Sequence, residues 1–298
     1  MAANRGAVVV GDVFVDYIGD LTAAAAAGGP PLPTDPAADL HAFGPVTTEV
    51  GGAGVQFAVA ARAAGFEPVT LIGKIGGDAG GRPDEAGVQA REYLRAHGVE
   101  PLLSVQAGGA TGRAAILYVP PNRRIMVSDP LANTTLVPTD IGAAARAAAG
   151  TAAFAHISGF LLLQPGRRQA AICVLEAAQS GGATTALDLV PHEIYRYLSY
   201  RDLVQCLAGT VDWLVVELPT ARRLLGADGA AATAEATAEA VLEALARDFP
   251  SVALYPDPGC ALVSSRGEMA ELRFEYTPGS RSRGQSARAQ ASLFAKHV

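Results

Sequence analysis

The sequence predicts an α/β protein built on a doubly wound, mostly parallel sheet with a small accessory β-sheet. Two observations carry the prediction. Beyond Asn133, β-type runs at 152–157, 184–189, 212–216, 252–255 and 261–264 alternate with helical stretches at 141–149, 167–181, 195–208, 220–225 and 230–248. That alternation is the pattern of helices packed on both faces of a parallel sheet. Before it, three β-type runs at 100–106, 114–119 and 124–128 follow one another with no helix between them. Gly108-Gly109 and Pro120-Pro121-Asn122 join them as turn signals, so they read as a separate small sheet, completed by segments near 13–19 and 43–50. The 298 residues, 50% hydrophobic and 17% charged, suffice for a sizeable core, and residues 1–298 are read as a single domain.

In chain order, Ala7 to Val10 is a short apolar run that suits a strand buried on both faces, and Gly11-Asp12 ends it. An extended segment carrying Asp16 follows. Residues 21–38, rich in Ala, Gly and Pro, read as a flexible insertion. Val50 to Asp78 is the most informative stretch. Gly51, Gly52 and Gly54 precede a small-residue helix over 55–64, and Gly65 ends it as a C-cap glycine does. Pro68 to Ile72 reads as a short buried strand, and Gly73 to Gly81 as a glycine-rich turn. Glycines ahead of a helix admit a ligand to the backbone, and the unpaired N–H groups of the first turn suit hydroxyl or anionic oxygens. By themselves these glycines are better accounted for by tight turns in a βαβ connection. Residues 82–97 read as a helix closed by Gly98. Asp12, Gly73, Ser158, Asp188 and Glu217 fall at or just past strand ends, where open α/β sheets bind ligands.

Several classes of function are excluded. The formal net charge is −6, which argues against nucleic acid or an anionic membrane as partner. No apolar run reaches the length of a membrane span. The start of the chain lacks the apolar core of a signal peptide. Cys173, Cys206 and Cys260 show no CxxC spacing, which fits buried thiols in a reducing, cytoplasmic setting. The five histidines lack ligand spacing, so no metal site is read. No Walker loop, nucleophile elbow or dinucleotide fingerprint is present.

The order and spacing of Gly51, Gly52, the helix at 58–61, Gly65 and Gly76-Gly77-Asp78 resemble the first signature of the PfkB (ribokinase-like) carbohydrate kinases. The resemblance runs to about residue 265. It implies a ribokinase-like fold whose small sheet is a lid over the sugar site and often a dimer surface. It also implies ATP-dependent phosphoryl transfer to a hydroxyl of a sugar or nucleoside, with ATP and Mg2+ as cofactors. Carried over residue by residue, Asp16 accepts hydrogen bonds from sugar hydroxyls, and Gly51 and Gly52 form the start of the binding helix. Gln56 stands where the family usually has asparagine and keeps its donor and acceptor. Gln164 is a candidate substrate contact, Arg123-Arg124 resembles a lid turn that meets a substrate phosphate, and Ala132-Asn133 resembles the end of the lid.

The nucleotide side departs from the family. At 211–226 the usual Asn and the Glu three residues on are replaced by Glu217 and Thr220. The Thr-x-Gly-x-x-Gly turn becomes Tyr255-Pro256-Asp257-Pro258-Gly259, which keeps only Gly259. Glu217 and Gly259 are therefore the nucleotide-side candidates. The Gly-Ala-Gly-Asp motif, which supplies both a carboxylate base and helix-start donors, is absent; Gly284-Gln285 is its nearest counterpart. No residue is assigned the catalytic role, and the expectation is impaired turnover with sheet surface left uncovered at the C-terminal end. Asp188 and Asp257 are the first alternative carboxylates. Residues 279–298 carry +4 against −10 for the remainder; a diverged tail, a truncation and a reading-frame change near residue 280 would each produce this. The alternative to a kinase is a non-catalytic sugar- or nucleoside-binding protein on the same fold.

Overall fold

A computed structural model describes residues 5–22, 45–119, 123–189, 194–227, 236–257, 259–274 and 285–297. Most of the insertion read at 21–38, the Pro120-Pro121-Asn122 turn and Gly284 lie outside them.

The main sheet begins with β1 (Ala7–Val10), buried throughout as four consecutive apolar residues require. The chain then leaves that sheet. β2 (Phe14–Asp20) and β3 (Val46–Gly51) form an antiparallel pair, and β3 delivers the glycines to helix α1 (Ala53–Ala63). β4 (Val69–Gly77) returns to lie parallel with β1. The strand expected to stop at Ile72 runs through Gly77, and the glycines serve close packing instead of a turn. A methyl group at Gly76 would overlap the backbone of Ala110, and one at Gly77 the Arg82 carbonyl. Helix α2 (Glu85–Ala96) starts at Asp84, whose side chain accepts from Gly87 N at 2.8 Å.

β5 (Val99–Ala107) pairs parallel with β4. This corrects the sequence reading, which gave 100–106 to the lid. The separate small sheet, the element the sequence reading named the lid, is β2, β3, β6 (Gly112–Val119) and β7 (Arg123–Asp129), ordered β3-β2-β6-β7. Asn133 pins the point where the lid departs: its Oδ1 accepts from Val13 N at 2.9 Å and its Nδ2 donates to Val13 O at 2.8 Å.

The remaining elements alternate as expected: α3 (Ala143–Thr151), β8 (Phe154–Ser158), α4 (Pro165–Ser180), β9 (Thr184–Leu189), α5 (Tyr200–Leu207), β10 (Trp213–Glu217), α6 (Leu218–Ala227), α7 (Ala238–Leu245) and β11 (Ser251–Asp257). β12 (Cys260–Ser265) and β13 (Glu268–Arg273) then close the edge antiparallel. The nine-stranded order is β13-β12-β11-β10-β9-β8-β1-β4-β5. The chain proceeds outward from β1 in both directions, so β1 and β8 flank the topological switch point, where such sheets bind ligands. No helix of the described residues is long and apolar enough to cross a membrane.

Helix α8 (Gln285–His297) overturns the expectation of an uncovered sheet. Ala291, Leu293 and Phe294 are buried in the core between the sheet and α1. Phe294 meets Phe154 at 4.7 Å and Trp213 at 5.8 Å between ring centroids.

His156 is buried in the same layer, stacked on Phe57 at 3.5 Å, with neither ring nitrogen bonded among the described residues. Burial depresses its pKa from 6.5 to about 3. The unfolded chain therefore binds a proton that the folded one refuses. This contribution to stability is fully present above pH 6.5 and is lost as pH falls toward 3. Thermal unfolding of wild type and His156→Leu between pH 7.5 and 5 should show a melting temperature that falls with pH more steeply in the wild type. Parallel curves would contradict a buried neutral imidazole.

Candidate functional site

The ends of β1 and β8 pack against α1, and β3 of the small sheet leads into the start of that helix. Gly11, just past β1, packs so tightly on α1 that a methyl on it would sit 2.6 Å from Gly54 Cα and 3.5 Å from Ser158 Cβ. This brings the switch point, the helix start and the end of β8 together. Asp16 lies on β2 with 6% of its surface exposed, and its carboxylate occupies the space that a side chain at Gly51 would fill. Gly52 has φ 101° and its α-carbon faces the Asp12 carbonyl. Asp16, Gly51 and Gly52 thus share one locus.

Gln56 is half-buried one turn into α1, and its side chain has no hydrogen bond among the described residues. Gln164 caps α4 and is half-buried; its carbonyl accepts from Arg168 N at 3.0 Å. Arg124 is exposed on β7.

Asp12 and Arg167 were missed as partners. They form a buried ion pair between the β1 end and α4. Burial raises the Asp12 pKa, and the Arg167 charge opposes that rise. No sequence signal joins positions 155 residues apart. The pair steadies the segment from which β2 departs, and it leaves Asp12 committed to a cation.

Along β8 to β11 the registers place Ser158 beside Asp188, Asp188 beside Val215, and Glu217 beside Tyr255. All lie on the face covered by α8. Gln290 of α8, 2% exposed, donates Nε2 to Asp188 Oδ2 at 3.1 Å. Burial pushes the Asp188 pKa up to about 7; the Gln290 bond opposes that rise, and the neighbouring Glu217 charge adds a smaller one. Ser158 Oγ and Tyr255 Oη are buried with no partner among the described residues.

Among the residues read from the sequence as nucleotide-side candidates, Glu217 is exposed at the end of β10, and Thr220 beyond it is buried at 1%. Gly259 N donates to Asp257 Oδ1 at 3.0 Å, and the Tyr255 ring stacks on Phe274 at 6.1 Å. The resemblance implies Mg2+, but no group of three or more His, Cys, Asp and Glu gathers among the described residues. With uncharged, buried Thr220 in place of the family's acid, these residues do not make a protein-held magnesium site, and no step below passes through one.

Comparison with known proteins bears on this geometry. No curated protein matches the chain. Solved structures match it closely in fold. An adenosine kinase from Sinorhizobium meliloti aligns with TM-score 0.76 at 19% identity, over 99% of this chain and 88% of its own. A probable sugar kinase protein from Rhizobium etli CFN 42 aligns with TM-score 0.76 at 17% identity over 99% and 88%. A fructokinase with bound ATP from Xylella fastidiosa aligns with TM-score 0.70 at 15% identity over 99% and 83%. The chain therefore has the ribokinase-like α/β fold. The profile of the pfkB family carbohydrate kinases matches residues 6–255, a span holding the glycine segment, the lid and the strand ends described above, and the chain belongs to that family.

Proposed function

We propose that the protein transfers the γ-phosphoryl group of ATP to a hydroxyl of a sugar or nucleoside. The observation that carries this reading is the buried Asp16 carboxylate set against Gly51 and Gly52 at the start of α1, beside the switch point. A carboxylate accepts from two hydroxyls at once, and the free N–H groups of a helix start donate to a third oxygen. Gln56, one turn into α1, and Gln164 are read as further substrate contacts. Glu217 and Gly259 mark the nucleotide side, and magnesium accompanies ATP there. The three cysteines are free thiols, which suits a cytoplasmic protein.

Calorimetry or thermal shift over a sugar and nucleoside panel tests the reading. At least one ligand should raise the melting temperature of the wild type, because a ligand that binds only the folded state stabilises it. Asp16→Ala should abolish that rise without unfolding the protein. A wild type that no member of the panel stabilises would falsify the binding site.

A second reading is a non-catalytic binder. It is favoured by Gln285 at the start of α8 and by the Tyr255 ring packed at the end of β11. Such a protein would show the ligand-induced shift but no ADP release. On the kinase reading, turnover is expected below that of members with a carboxylate at the helix start, since a base positioned there is worth about 10²–10⁴-fold.

The outer lid face supports a homodimer. Tyr17, Val46, Ile125 and Val127 share one face by register and are exposed. Sedimentation velocity should give a dimer that Val127→Glu dissociates; a monomer at all concentrations would sink the idea.

A further inference from the structure

We propose that Asp188 takes the proton from the substrate hydroxyl during phosphoryl transfer, in the space between the N-terminal ends of α1 and α8. The proposal rests on the kinase reading above and names its missing base. The hydroxyl oxygen bonds to the γ-phosphorus, the bond from that phosphorus to the bridging oxygen breaks, ADP leaves with the electron pair, and the hydroxyl proton passes to the Asp188 carboxylate.

The direction of α8 comes first. Gln290 meets Asp188 at the carboxyl end of β9. Four residues on, Phe294 meets Phe154 and Trp213 at the amino ends of β8 and β10, and Arg5 Nη2 reaches the Ala295 carbonyl at 3.3 Å. α8 therefore runs from the carboxyl edge of the sheet to the amino edge, and its free N–H groups point toward the crevice. The donors expected to be lost with the motif are in place; only the carboxylate at the helix start is gone.

Competing carboxylates are otherwise engaged. Asp12 is held by Arg167, Asp84 by Thr111 and Gly87, and Asp140 by Lys74. Asp257 accepts from Gly259 N in an exposed hairpin. Asp16 belongs to the lid. Asp188 is half-buried at a strand end, with Oδ2 held by Gln290 and Oδ1 bonded to nothing among the described residues. Among the described residues, the charged or titratable groups facing it are Glu217 from β10 and the Tyr255 phenol from β11, and α8 presents an amide. Neither neighbour neutralises it. A carboxylate poised near neutrality is also the efficient kind of base at working pH.

The test is a coupled ADP-release assay from pH 5.5 to 9 with the sugar and nucleoside panel, run beside ligand-induced thermal shifts. Asn in Asp188→Asn still accepts from Gln290, so the fold is kept while the base is lost. Turnover should fall about 10²–10⁴-fold, with the ligand-induced shift retained and the acidic limb of the pH profile gone. Glu217→Gln should move that limb to lower pH, by removing a like charge. Gln290→Ala should move it to higher pH, by removing a bond that favours the charged form. Asp188→Asn within about 3-fold of wild type, or a limb unmoved by both neighbours, overturns the proposal and leaves the kinase reading standing. A wild type that binds ligand without turnover overturns the proposal and favours the binder. A wild type with neither binding nor turnover overturns the kinase reading together with it.

Discussion

Gly52→Ala should unfold much of the protein, whereas Gly51→Ala should leave it folded and unable to hold its ligand. The two glycines are adjacent but meet different neighbours. A methyl on Gly52 overlaps the Asp12 carbonyl and lies 3.2 Å from Phe14 N, all backbone. Its φ of 101° and ψ of 148° belong to a region that only glycine occupies comfortably. Backbone strain and overpacking together cost about 2–6 kcal/mol, which is comparable with the 5–15 kcal/mol total of a typical domain. A methyl on Gly51 meets instead the Asp16 carboxylate, the end of a side chain that turns away. The chain folds, but Asp16 then points out of the locus. Urea unfolding and ligand-induced thermal shift separate the cases. A Gly51→Ala protein that binds as the wild type does would show that Asp16 is not the hydroxyl acceptor.

The same two glycines show how far the sequence carries. Their order before a small-residue helix identified the locus, because a close backbone approach leaves a residue-type signature. Partner choice leaves none. β5 alternates as any half-buried strand does, and nothing local says that it joins β4 and not the lid. β4 was read too short because Gly73, Gly76 and Gly77 look like a turn, while in the fold they admit neighbouring backbone. β13, charged and exposed along Glu268–Arg273, carries no hydrophobic pattern to find. In the site, Asp188 was visible as a strand-end carboxylate. Gln290 was invisible, since a lone amide at a core position of a helix contradicts the binary pattern that would place the helix.

Phe294→Ala should lower the melting temperature on the order of 10 °C, taking about 3–5 kcal/mol for a buried Phe truncated to Ala and about 2–4 °C per kcal/mol at this size. The side chain is fully buried and faces Phe57, Phe154 and Trp213, three rings contributed by α1, β8 and β10. Their contacts are edge-on or tilted, which aromatic quadrupoles favour beyond the area buried. Charge alone would mark residues 279–298 as foreign to the rest of the chain, yet the cost of this one truncation would be that of a core residue. The position of Gln290 depends on the same anchor, so Phe294→Ala should also loosen its hold on Asp188 and raise the apparent pKa of the acidic limb along with the thermal loss. Differential scanning calorimetry gives the first quantity and the pH–rate profile the second. A melting temperature within about 2 °C of wild type would mean that α8 does not pack in this layer.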